Sequence, residues 1–193
     1  MARQPTISID CGIGAEAYKV VLSGKDLSAF LTTDQQPAFN NKKGEALVAA
    51  ILSATAPGNI WCVTRLKGNK RNDGPAGEPA VQYFSQGGTV ARHWHYKDDV
   101  RNDGAKGEPA YQCFDNNGKL LRVEHYKDGR SNDGAKGEPA LQTFGGNGSL
   151  DYAYSYKSGV RVKRLSQDEI ATYLKSVNGP AVRKAAARKA PKA

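Results

Sequence analysis

A 30-residue phrase written three times without insertion is the strongest constraint on this chain. Asn72-Asp73-Gly74, Gly77-Glu78-Pro79-Ala80, Gln82, Phe84, Gly88 and Tyr96 recur at 102–126 and again at 132–156. Units this short cannot bury a core alone, so each must pack on its neighbours.

Each unit holds two strand-like runs, 80–84 and 90–96 in the first. They are joined around Gly87-Gly88, 115–118 and 145–148, which are turn-forming residues. Ala80, Gln82 and Phe84 repeat on the first run, and Val90/Leu120/Leu150 and Tyr96 repeat on the second. Side chains alternate along a strand, so placing both repeated sets on one face requires Phe84 to oppose Val90. This predicts a five-residue loop, 85–89, with Gly88 left-handed, and the pairs Gln82–Arg92, Ala80–Trp94 and Glu78–Tyr96. In the links, Asn or Asp closes a turn through its side chain and the glycine of Asn-Asp-Gly supplies a positive φ. Three such hairpins form an antiparallel meander of about six strands, roughly 29 Å long.

The flanks read differently. Residues 1–64 form a small α+β unit with strands at 6–11, 17–22 and 59–65. A short helix is expected at 26–31, and a longer one at 44–54 with Leu47, Val48, Ile51 and Leu52 on one side. The unit is expected to cap the first repeat, since a bare sheet edge invites foreign strands. Residues 161–180 contain a C-terminal capping helix at 166–178, opened by a Ser166-x-x-Glu169 box. The fold class is mainly β, with repeats at 65–160.

The net charge of +9 is concentrated at the C-terminus, where residues 161–193 hold nine basic and two acidic side chains. The basic balance therefore reads as a property of this C-terminal segment, 161–193, which ends in the tail 181–193, rather than of the folded body. In that tail Arg183, Lys184, Arg188, Lys189 and Lys192 sit among alanines, a composition that contacts nucleic-acid phosphates without reading sequence. Three cysteines with no close-spaced pair and no apolar leader predict a cytoplasmic protein with reduced thiols.

Chemistry-bearing clusters are few. His93 and His95 at i, i+2 could chelate a metal, but the third unit has Ser155 where His125 stands in the second, and the histidines read as surface residues on a β-face. The acidic links fail the calcium-loop order, so they read as turn residues. No Ser/His/Asp, Cys/His or paired-carboxylate arrangement stands out, and neither catalysis, a metal nor a cofactor is expected. Two faces compete as a contact surface. One varies between units and carries Val81, Tyr83, His93, His95, Tyr111, Cys113, Leu121, Val123, Leu141 and Ala153, and is either a partner surface or the face that the terminal helices 44–54 and 167–177 cover. The other interleaves Arg92, Trp94, Arg122, Glu124, Tyr152 and Tyr154 between the ladders. Aromatic and arginine enrichment is typical of interfaces.

Asp103-Gly104, Gly107-Glu108-Pro109-Ala110, Phe114, Gly118, His125-Tyr126 and Gly129, with their repeat partners, resemble the MORN-like, "DGPA"-type repeats of bacterial, phage and large-virus proteins. The resemblance covers about half the chain. It implies an elongated antiparallel sheet used for protein contacts or scaffolding, with a phage- or bacterium-encoded inhibitor as one setting. A protein partner bound through the residues above is expected, and nucleic-acid association through the tail is the alternative.

Overall fold

The computed structural model describes residues 6–11, 17–25, 27 and 43–177. Of the expected helix at 26–31 only Leu27 is among them, and the tail lies outside. The chain is an antiparallel meander in which almost every strand pairs with the next. It begins with β1 (Thr6–Cys11), β2 (Tyr18–Gly24), helix α1 (Gly44–Ala54), β3 (Ile60–Lys67) and the short β4 (Lys70–Arg71). The first full unit contributes β5 (Val81–Phe84), β6 (Val90–Trp94) and a small hairpin, β7 (Tyr96–Lys97) with β8 (Val100–Arg101). The second contributes β9 (Tyr111–Phe114), β10 (Leu120–Glu124), β11 (Tyr126–Lys127) and β12 (Arg130–Ser131). The third contributes β13 (Leu141–Phe144), β14 (Leu150–Lys157) and β15 (Val160–Arg164), followed by helix α2 (Gln167–Val177). The main sheet runs β1-β2-β3-β5-β6-β9-β10-β13-β14-β15. Nine intervals at ~4.8 Å make it roughly 43 Å long.

The sheet is longer than expected because the strands of the N-terminal segment continue it at one end and β15 extends it at the other. Strand β3 pairs with β2 on one side and with β5 on the other, so the expected boundary after residue 64 falls inside a strand. β3 is the second half of an earlier unit. Ile60, Val63, Arg65 and Lys67 stand 30 residues before Val90, His93, His95 and Lys97. The Arg65 N–H bonds to Ala80 O just as those of His95 and His125 bond to Ala110 O and Ala140 O.

Phe84 does oppose Val90, and the loop 85–89 is closed by Ser85 N–H to Thr89 O, with Gly88 at φ 79°. One step further on, the register departs from expectation. Tyr83 pairs with Arg92, Gln82 with His93 and Val81 with Trp94, because Ala91 is an unpaired bulge residue. The same bulge recurs at Leu121 and Asp151. An extra residue inverts the alternation of everything after it. Arg92 and Trp94 therefore lie on the same face as Val81 and Tyr83, while His93 joins Gln82 and Phe84.

Two faces result. Along the covered face, α1 sets Val48 and Ile51 on Ile7, Ile9, Val20, Leu22, Ile60 and Val63, with Phe84 packed against them. At the other end α2 sets Ile170, Tyr173 and Leu174 on Phe144, Leu150 and Ala153. The Ser166–Glu169 capping box that opens α2 forms in both directions. Arg65, 3% exposed, is held on this face by Glu45 of α1 through two hydrogen bonds of 2.6 and 2.9 Å. Tyr96 leaves the expected ladder and packs with Val81, Cys62 and Trp94 towards the opposite face. Among the described residues no helix lies over that opposite, open face, and no helix is long and apolar enough to cross a membrane.

Candidate contact surface

The Asn-Asp-Gly phrase sets the rigidity of the site. The Asp73 carboxylate accepts the backbone N–H of Ala80 and of Tyr96 at Oδ1, both at 3.0 Å, and the Nδ1–H of His95 at Oδ2, at 2.7 Å. Asp103 repeats this with Ala110, Tyr126 and His125, and Asp133 repeats the two backbone bonds with Ala140 and Tyr156. Asn72, Asn102 and Asn132 each accept from the backbone of the next small hairpin, at Asp98, Asp128 and Ser158. One carboxylate thus fixes three points of the chain spread over 23 residues.

This corrects the reading of the histidines. His95 and His125 are each 2% exposed, so neither is a surface group and His95 leaves the set of contact candidates. Their rings are caught between the aspartate of one link and the glycine of the next. A Cβ on Gly104 would come 3.0 Å from His95 Nδ1 and 2.7 Å from the Glu108 carboxylate. Gly104 is therefore required for close approach and not, as expected, for a positive φ; that conformation belongs to Gly77, Gly107 and Gly137. His93 is half-buried on the covered face, where its Nε2–H donates to Gln112 Oε1 at 2.8 Å. Burial pushes its imidazole below the ordinary value, while the bond to Gln112 partly opposes the shift.

The other seven expected contact residues, Tyr83, Arg92, Trp94, Tyr111, Arg122, Tyr152 and Tyr154, come together on the open face. The two competing faces of the sequence reading are, for these residues, one. Trp94 is central: its ring lies 5.5 Å from Tyr83, edge-on, and 5.0 Å from Tyr111. The Arg92 guanidinium sits 4.8 Å above Tyr83 and 5.5 Å from the Trp94 ring. On β10, Arg122 donates to Glu124 at 2.6 Å, and Glu124 also accepts from the Tyr126 hydroxyl at 2.9 Å. Beyond it Tyr152 and Tyr154 pack at 5.7 Å, and Arg161 and Arg164 approach the Tyr154 ring. Burial first, then Cys113, pushes the Tyr111 hydroxyl up to about 12, and Cys62 is likewise raised by burial, so both stay neutral. The surface can stack, donate hydrogen bonds and attract anions.

Elsewhere a groove of about 380 Å³ runs beside α2 between Val123, His125, Gln142, Phe144 and Tyr173. No group of three or more His, Cys, Asp or Glu that could hold a metal occurs among the described residues. The tail residues Arg183, Lys184, Arg188, Lys189 and Lys192 lie outside the described residues. No protein-family model, curated protein or solved structure matches the chain.

Proposed function

We propose that the chain is a non-enzymatic, protein-binding repeat module of the MORN-like kind, working in the cytoplasm as an inhibitor or scaffold by contact with a larger complex. A phage- or bacterium-encoded protein fits this reading. The observation that carries it is the Tyr83–Trp94–Tyr111 cluster with Arg92 laid across it, on a face that no described helix covers. Aromatic rings and arginine supply most of the energy at protein interfaces, from well-packed centres ringed by polar groups. Rings already packed on one another lose little freedom on binding.

The one carboxylate between the aromatic groups, Glu124, is engaged by Arg122, while Arg92 makes no ion pair among the described residues. The face therefore suits a partner with apolar and acidic groups side by side. The test is affinity capture from the native host with Arg92→Glu and Arg122→Glu together. Loss of a specific partner by tenfold or more supports the reading. An unchanged set of captured proteins contradicts it.

A further inference from the structure

A second surface lies on the row of small hairpins. After each second strand the chain reverses through two residues with positive φ: Gly68-Asn69, Asp98-Asp99, Asp128-Gly129 and Ser158-Gly159. Neighbouring hairpins are tied to one another, by Asp99 N–H to Arg71 O at 3.0 Å, Gly129 N–H to Arg101 O at 2.9 Å and Gly159 N–H to Ser131 O at 2.8 Å. They form a continuous ridge whose steps, two strands each, are ~9.6 Å apart.

The ridge is basic and periodic. Lys67, Lys97, Lys127 and Lys157 occupy the same position in all four hairpins, are exposed, and make no ion pair among the described residues. The hairpin residues 67–71, 97–101, 127–131 and 157–161 hold nine basic and three acidic side chains. One of those acids, Asp99, is already engaged by Arg71 at 2.6 Å. The net excess still lies in 161–193, but within the nearly balanced repeats basic side chains gather on the hairpins while six of the carboxylates, Asp73, Glu78, Asp103, Glu108, Asp133 and Glu138, sit in the links. Between the last two hairpins a cleft of about 480 Å³ is lined by Lys127, Arg130, Asn132 and Lys157, with Asp128 and Ser158.

We propose that this ridge binds the phosphate backbone of duplex nucleic acid without reading its sequence. Four lysines in a line span roughly 29 Å, the axial length of about nine base pairs, and meet a polyanion of matching linear form. The crest carries no aromatic ring: Tyr96 is buried and Tyr126 and Tyr156 are half-buried behind it. Proteins that bind single strands stack bases on exposed rings, whereas a duplex presents its phosphates outward. The four ridge lysines are not part of the aromatic face, although Arg161 of the last hairpin also approaches Tyr154, so the lysine variants test this inference independently of the protein-binding reading.

The test is anisotropy of a labelled duplex of about 20 base pairs with the full chain, at about 50 and 200 mM salt. Four phosphate contacts give a slope of log K against log salt near −3.6, or about 150-fold weaker binding across that range. Replacing Lys67, Lys97, Lys127 and Lys157 with serine should weaken binding at low salt by about 100-fold and flatten the slope. Replacing Arg183, Lys184, Arg188, Lys189 and Lys192 with serine should leave binding within about threefold of the wild type. If circular dichroism shows the fourfold ridge variant unfolded, the exposed pair Lys97→Glu and Lys127→Glu replaces it with the same expectation. Several results would overturn the proposal: no wild-type binding at low salt, a ridge variant that binds like the wild type, or binding lost with the tail. Tighter binding to single-stranded DNA of equal length, or to phosphatidylserine vesicles, would overturn it as well.

Discussion

Asp103 and His125, 22 residues apart, are joined by a 2.7 Å hydrogen bond from Nδ1–H to Oδ2, with the ring buried. The other oxygen of the same carboxylate holds the backbone of Ala110 and Tyr126. Removing this group leaves three buried or half-buried donors without a partner. Asp103→Ala should cost about 3 kcal/mol. Asp133→Ala, which loses only the two backbone bonds because Ser155 stands where the other units have a histidine, should cost about 2 kcal/mol. Urea midpoints check the order; equal losses would mean that the histidine bond contributes nothing.

Two glycines of one link are required for different reasons, and substitution separates them. Gly107 has φ 83° and nothing within 4 Å of an added Cβ, so Gly107→Asn, which tolerates the left-handed region, should cost under about 1 kcal/mol. Gly104→Asn drives a side chain against His95 and Glu108, and should cost about 2 kcal/mol or more. Thermal denaturation of the two variants provides the comparison.

The bond between Arg65 and Glu45 is the polar tie between α1 and the start of the repeats, beside the packing of Val48 and Ile51 on Ile60 and Val63. Glu45→Ala strands a buried guanidinium, leaving it only Pro79 O and Gln82 Oε1. Glu45 is 23% exposed, which softens the penalty from the 3–5 kcal/mol of a fully buried pair to about 2–3 kcal/mol. Hydrogen exchange should show the loss concentrated in α1, β1 and β2; uniform loss along the sheet would contradict the assignment.

His93 makes stability depend on pH. Its imidazole in the folded chain lies below its ordinary value of 6.5, so the unfolded chain takes up the proton first as pH falls. The favourable difference is whole above about 6.5 and is lost as pH drops from there towards the folded value. Between pH 7.5 and 5.5 the wild type should lose more stability than His93→Gln. Parallel profiles would show that His93 does not titrate with folding.

How much of this was legible in the sequence depends on the range of each interaction. Strands at 6–11 and helix 44–54 follow from local periodicity and appear with those bounds. The opposition of Phe84 and Val90 follows from loop length. The bulge did not show, because Ala91, Leu121 and Asp151 share a position but no chemistry, and an insertion common to every unit leaves the 30-residue period intact. The burial of His95 was hidden for another reason: its partner, Asp73, is 22 residues away and looks like an ordinary turn residue. The extra half-unit at β3 keeps Lys67, Arg71 and Asn72 but puts arginine where histidine stands later, with its carboxylate supplied by α1. Of the contact surface, seven residues were legible by type, but their common face was not, since that depends on the bulge.

The central claim is that the bulge assembles one contact face from Tyr83, Arg92, Trp94 and Tyr111, and that partners meet the protein there. Tyr111 and Phe114 lie on one strand and on opposite faces, which allows a direct measurement. A photo-crosslinking residue is placed at each position in turn, in the native host. Covalent capture of a discrete partner from position 111, lost with Arg92→Glu, and none from position 114, is the predicted result. Capture of that partner from position 114, with none from 111, would contradict the account.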